Sequence, residues 1–269
     1  MRRVLLALLV LFAPLPAAAA DVDVPFVVTP DNVTMAMLQV AGVGPDDYLI
    51  DLGSGDGRIV ITAAKRFGAR GLGVEVVPDL VQQSRENARL AGVAGRAFFR
   101  EQDLFKTDLS PASVITMYLL PEVNLQLRDR LLKLRPGTRI VSHDWDMGDW
   151  QPDKSLTVDA PDKPIGREKL SRVFLWIVPA RVQGDWCGIG KHKGKTLRLA
   201  QEFQRFRGEL ANGTDTFGFQ GRIAGNTISA PKQVNLHVEG DRLRAQAINK
   251  KYSPFHRALF VRQRGARCP

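Results

Sequence analysis

Between residues 31 and 178 short apolar runs alternate with stretches whose apolar residues recur three and four positions apart. The first texture marks buried strands and the second marks helices that pack one face. The pattern predicts a helix over 32–41 with Asp31 as N-cap, a strand over 47–51 and a helix over 57–67. A strand over 71–76 follows, then a helix over 78–90 with Pro78 in its first turn. Strands over 97–102 and 113–120 come next, then a helix over 122–134 that stops before Pro136-Gly137. Strands over 138–143, 154–158 and 172–178 complete the set. This alternation defines an α/β fold, a Rossmann-like doubly wound sheet of seven strands, with ligands at the carboxyl ends of the strands.

After Pro179 the helical period disappears. Alternating runs over 196–210, 216–223, 234–238, 243–248 and 258–261 are punctuated by Asn212-Gly213, Gly225-Asn226 and Gly240-Asp241. They predict a small all-β domain over 180–269, an antiparallel meander or barrel, after an α/β domain over 21–179. Val182-Gln-Gly-Asp-Trp186 bears a faint similarity to the Gly-x-Trp opening of lipocalin-like barrels, and a strand entry with one buried Trp explains it as well.

Residues 1–20 stand outside this pattern. Arg2-Arg3, the apolar run Val4 to Phe12 and Ala18-Ala19-Ala20 read as a signal peptide cleaved before Asp21. The expected location is therefore exported or periplasmic, with an uncleaved membrane anchor as the alternative.

Charge divides the chain as the texture does. The whole carries a net +10. Residues 21–178 hold 19 Lys and Arg against 22 Asp and Glu, whereas residues 179–269 hold 17 against 6. The positive field of the second domain favours an anionic partner, although a solvated basic surface accounts for it equally. Its phenylalanines at 203, 206, 217 and 219 fall inside expected strands and read as core, so no specific nucleic acid is expected. Cys187 and Cys268 lie near the ends of this domain, and in an exported chain a bridge between them would staple its last segment to its first strand. The histidines are scattered and no metal site is expected.

The candidate chemistry centres on Leu49-Ile-Asp-Leu-Gly-Ser-Gly-Asp-Gly-Arg-Ile-Val60, a strand, a glycine turn and a helix start. The glycines allow backbone N–H groups to come close to a ligand. Arg58 stands where a dinucleotide fingerprint has its third glycine, and Asp51 and Asp56 would repel a pyrophosphate. A cationic ligand suits the turn better. S-adenosylmethionine (SAM), with a sulfonium, an ammonium and no phosphate, fits.

Asp51-Leu-Gly-Ser-Gly-Asp-Gly57 resembles motif I of the class I SAM-dependent methyltransferases. The longer run Asp51 to Lys65, with Val28-Thr29-Pro30 and Gln102-Asp-Leu-Phe105, resembles one branch of them. That branch holds the mitochondrial lysine methyltransferases acting on the ATP synthase c subunit and the adenine nucleotide translocase, with their bacterial relatives. The resemblance spans about residues 25–178.

It implies a SAM site built from Thr29, Asp51, Gly53, Ser54, Gly55, Asp56, Glu75, Asp103 and Leu104. Asp51 would orient the methionine ammonium, and Asp56 would contact the same group or cap the following helix. Glu75, 24 positions after Asp51, would accept from the ribose hydroxyls. Val76-Val77-Pro78 departs from the usual continuation of the branch. Asp103 would take the adenine amino group while Leu104 packs on the ring; Asp108 is its near neighbour.

At the acceptor end, Met117-Tyr-Leu-Leu-Pro121 lacks the Asn/Asp-Pro-Pro-aromatic motif of amino-methylating DNA enzymes. Tyr118 lines the methyl-transfer channel or serves as packing, with Glu122 and Asn124 close behind. His143 or a carboxylate of Ser142-His-Asp-Trp-Asp146 would receive the acceptor's proton. The resemblance implies a methyl acceptor, in the first instance a protein lysine. A small molecule, an envelope lipid or binding without catalysis are the alternatives.

Overall fold

The computed structural model describes residues 26–164, 168–265 and 268. The expected signal segment lies outside them. The first part is a seven-stranded sheet ordered β3-β2-β1-β4-β5-β7-β6. Its strands are β1 (Tyr48–Leu52), β2 (Arg70–Glu75), β3 (Ala97–Glu101), β4 (Val114–Met117), β5 (Arg139–His143), β6 (Lys154–Asp159) and β7 (Leu170–Ile177). The first five run parallel, and β7 is antiparallel to both β5 and β6.

Four helices cover the sheet: α1 (Asp31–Val40), α2 (Arg58–Phe67), α3 (Pro78–Leu90) and α4 (Pro121–Leu131). Each lies within three residues of its expected position. Asp31 is the first residue of α1 rather than its cap; Pro30 holds the cap position and makes no side-chain bond. Alternation along β1 sorts the core into two layers. Leu49 packs with α1, α2 and α3, through residues such as Val33, Met37, Val60 and Val81. Ile50 and Leu52 face the other side, with Val123, Leu127 and Leu131 of α4 and the tryptophans 150 and 176.

The second part is a closed eight-stranded antiparallel barrel of β8 (Gly184–Gly188), β9 (Lys195–Glu202), β10 (Arg205–Asn212), β11 (Asp215–Ala224), β12 (Thr227–Ala230), β13 (Val234–Glu239), β14 (Arg242–Ala247) and β15 (Leu259–Arg262). Each strand pairs with its sequence neighbours, and β15 closes on β8. Closure leaves no edge strand unpaired. The interior is filled by inward residues including Trp186, Phe206, Phe219, Leu236, Phe255 and Phe260. Trp186 is fully buried and its indole N–H donates to the Val182 carbonyl at 2.9 Å. Cys187 of β8 and Cys268 are disulfide-bonded, with their Cα atoms 5.4 Å apart.

The run 196–210, expected as one strand, is two. They are joined by a two-residue turn, Phe203-Gln204, with Phe203 at φ +49°. The turn carries none of the Gly, Asn or Asp that usually mark such a position, so the pattern hid it. Its reason is tertiary. Phe203 stacks on Trp150 at 6.3 Å between centroids, and the Arg128 guanidinium lies 5.9 Å over its ring. The barrel therefore plugs the tip of its β9–β10 hairpin into the sheet's second layer, beside α4. Arg222 to Asp153 at 2.7 Å and Ala180 N–H to the Gly225 carbonyl at 2.9 Å tie the same junction.

Candidate active site at the carboxyl edge of the sheet

The carboxyl ends of β1, β2, β4 and β5 converge on one edge. Asp51, near the end of β1, is 2% exposed, and its Oδ1 accepts from the Thr116 hydroxyl on β4 at 2.7 Å. Burial lifts the Asp51 carboxyl most, the Thr116 bond opposes, and repulsion from Glu75 and Asp56 adds; its pKa is pushed up to about 7. A buried carboxyl facing two more carboxylates is poised for a cation, because a positive ligand relieves both the desolvation and the repulsion.

The glycine turn is arranged differently from its expected use. The N–H groups of Gly53 and Ser54 both donate to the Val74 carbonyl at 3.0 Å, and Gly57 N–H donates to the Ser54 carbonyl at 2.8 Å. Gly55 N–H is taken by Glu75 Oε2 at 3.0 Å. At these four positions the turn therefore supplies clearance rather than free donors. The Ser54 side chain is buried, packs towards Gly73, and its hydroxyl has no protein partner. A Cβ on Gly55, at φ +50°, would stand 2.1 Å from the Phe26 ring, so the segment before α1 lies directly on the turn.

Glu75 ends β2 and its Oε1 accepts from Val76 N–H at 2.8 Å and Val77 N–H at 3.2 Å. Asp56 is occupied by Arg58, through a fork with Nη2 to Oδ2 at 2.6 Å and Nε to Oδ1 at 3.1 Å. It also accepts from Arg58 N–H at 3.2 Å, within the first turn of α2. Of its two expected uses, the structure shows the helix-end one. Arg58, read in the sequence only as the missing glycine, also donates to the Thr29 carbonyl at 3.0 Å and so fastens the covering segment to the turn. Asp103 follows β3, accepts from Phe105 N–H at 2.8 Å and keeps Oδ2 3.5 Å from Lys106. Leu104 is half-buried against the layer beneath α4, while Asp108 is exposed.

The acceptor end draws on five separate segments. The Tyr118 hydroxyl donates to Asp144 Oδ2 at 3.3 Å, and its ring lies 3.9 Å from that of His143. Burial, with the Asp144 charge and bond, raises the Tyr118 phenol to about 12 and keeps it protonated. His143 is fully buried; Nδ1 meets the Thr29 hydroxyl at 3.3 Å and Nε2 the Ser171 hydroxyl at 2.8 Å. Burial depresses it to about 4, Asp144 opposes and Lys163 adds to the fall. As a receiver of the acceptor's proton His143 is poorly placed: both nitrogens meet hydroxyls, and burial makes the ring a weak base. Its placement is that of a support for Tyr118 and Thr29.

Asp144, at φ +62°, accepts from Arg172 N–H at 3.0 Å through Oδ1. Its Oδ2 meets Lys163 Nζ at 2.7 Å. Burial works against the Asp144 charge, but the Lys163 bond and the neighbouring charges hold its carboxyl below the usual range. Asn124 of α4 steadies this rim by donating to Ser142 Oγ at 3.1 Å and the Trp145 carbonyl at 3.2 Å. Asn124 was expected close behind Tyr118, whereas Lys163 carries no spacing that would have marked it in the sequence.

The strand order with its antiparallel β7, the acid-lined glycine turn and the carboxylate ending β2 define a class I SAM-dependent methyltransferase. The sequence model of the ANTKMT methyltransferase domain matches residues 51–154. A protein-lysine N-methyltransferase of Saccharolobus islandicus is 44% identical over 138 residues, 51% of this chain and 86% of that protein. The chain belongs to this family. The mouse lysine N-methyltransferase of the ATP synthase c subunit is 42% identical over 106 residues, 39% of this chain and 42% of that protein. The crystal structure of an RNA methyltransferase from Salinibacter ruber in complex with S-adenosyl-L-homocysteine is 50% identical. It covers 58% of this chain and 96% of its own, with a TM-score of 0.52. The family match ends before the barrel begins.

Proposed function

We propose that this enzyme methylates a lysine of a protein acceptor. The observation that carries the reading is the acceptor rim: a low-lying carboxylate, Asp144, shared with a phenol that stays protonated, Tyr118. An ammonium fits such a rim, and the phosphates of a nucleic acid are repelled by it. The lysine methyltransferase names of the Saccharolobus and mouse relatives support the same choice.

SAM supplies a methyl group on a sulfonium. Asp51 holds the methionine ammonium, Glu75 the ribose hydroxyls and Asp103 the adenine amino group, with Leu104 beside the ring. Thr29, fixed by Arg58 and His143, closes the methionine end. Tyr118 and Asp144 orient the acceptor nitrogen, whose proton leaves to water at the rim, and positioning supplies most of the rate. The basic barrel holds an anionic face of the protein partner.

The Cys187–Cys268 bond supports an exported enzyme, since such bonds persist where thiols are oxidised. SAM must then reach that compartment.

Titration calorimetry of residues 21–269 with SAM and S-adenosylhomocysteine, followed by labelled methyl transfer to proteins and amino-acid analysis, tests the reading. Methyl-lysine is the expected product. Label found only in nucleic acid, lipid or carboxylate esters would overturn it.

A further inference from the structure

Lys163 lies in the connection between β6 and β7, and its side chain turns back to the carboxyl edge of the sheet. Nζ is 2.7 Å from Asp144 Oδ2 and donates to the Leu170 carbonyl at 2.7 Å. Only 11% of the side chain is exposed. Asp144 Oδ2 is the same oxygen that accepts from Tyr118, and the Tyr118 ring rests on His143. One lysine ammonium therefore sits among the groups at the ends of β4 and β5, where the acceptor must come.

A stability role explains this poorly. Ordering a lysine side chain costs rotamer entropy, and a mostly buried ion pair roughly breaks even against its desolvation. Asp144 does not need Lys163 for its own backbone work, because Oδ1 accepts from Arg172 N–H and its N–H donates to the Arg172 carbonyl at 2.7 Å. Oδ2 is left to face an ammonium.

Resting on the lysine reading above, we propose that Asp144 Oδ2, the Leu170 carbonyl and the Tyr118 hydroxyl form the subsite for the acceptor ammonium, and that Lys163 fills this subsite from within the chain. An incoming lysine displaces Lys163. When no acceptor is present and SAM is bound, Lys163 itself is the nearest amine and is slowly methylated. In that step Nζ sheds one proton to water and its lone pair forms the N–C bond. The C–S bond breaks, and the sulfonium leaves as the neutral thioether of S-adenosylhomocysteine.

The first test needs no turnover. n-Butylammonium chloride, the lysine side chain without its backbone, is titrated into the full chain by calorimetry. Lys163→Ala should bind it at least about tenfold more tightly than the parent, a difference of about 1.4 kcal/mol. Adding Asp144→Asn, which keeps the Arg172 bond, should remove that gain. Lys163→Met, which keeps the stem, serves if the alanine variant does not fold. The second test is peptide mass spectrometry after incubation with SAM. Methyl groups should accumulate on Lys163 at a rate independent of protein concentration, and Asp144→Asn should slow this at least about tenfold.

Butylammonium binding equal in parent and variant overturns the proposal. So does methylation of lysines on other proteins with Lys163 left unmodified, a result that leaves the lysine reading intact. Methyl transfer to a non-lysine acceptor alone overturns the lysine reading itself.

Discussion

The two ends of the site are built on opposite plans. The cofactor end comes from one short stretch: Asp51, Asp56 and Glu75 lie within 25 residues and surround a single turn. Asp51 has no cationic partner there, is repelled by Glu75 and Asp56, and waits for a cation. The acceptor end gathers Thr29, Tyr118, His143, Asp144, Lys163 and Ser171 from distant positions, and its charges are already paired. A site that stores repulsion gains when its ligand arrives, whereas a site whose charges are paired must give up a contact first. Affinity should therefore concentrate at the first end and selectivity at the second.

Asp51→Ala gives the largest expected effect. It removes the one buried carboxylate at the methionine end and should abolish SAM binding in calorimetry. Retained affinity would mean that the stored repulsion lies elsewhere. Glu75→Ala should weaken SAM by roughly 2–3 kcal/mol, two charge-assisted hydrogen bonds. A loss within the noise of a surface substitution would confine its role to the Gly55, Val76 and Val77 N–H groups.

The raised Asp51 carboxyl sets a pH dependence. Below about pH 7 the ligand-free protein holds a proton there that the cation must expel. SAM affinity should fall as pH drops from about 7, by at most about 1.4 kcal/mol per unit, and level off above about 8. The same group makes the ligand-free protein less stable as pH rises from about 4 through 7, because its folded pKa is above the unfolded value. Melting curves with and without SAM across that range check both signs. The smallest effect on SAM belongs to Tyr118→Phe. It should lower turnover and leave SAM affinity within about 0.5 kcal/mol of the parent. A clear fall in affinity would erase the distinction between the ends.

Legibility in the sequence follows the same division. Local rules govern β1, its turn and α2, so a linear pattern carried Asp51, Gly55 and Glu75. It also carried the parallel strands, whose apolar runs need no long-range information. His143 looked like a base because the sequence shows a histidine and not the Thr29 and Ser171 hydroxyls that occupy it. Arg58 was visible only as a misfit, because its partner Thr29 lies 29 positions away. In the barrel the Gly and Asn turns were readable, and the Phe203-Gln204 turn was not, since its cause lies on Trp150 in the other part.

That turn also bears on how such a chain can change over generations. A β-hairpin ending in Asn-Gly can be moved to a new host without asking anything of it. One that ends in Phe-Gln at a left-handed φ closes at the expense of local preference and needs a waiting aromatic surface. Separating the two parts would strand an apolar knob on one and bare a tryptophan on the other, and both are invitations to aggregate. A change at Trp150, Arg128 or Phe203 is therefore felt across the junction, and in this chain the barrel and the sheet are a matched pair rather than exchangeable modules.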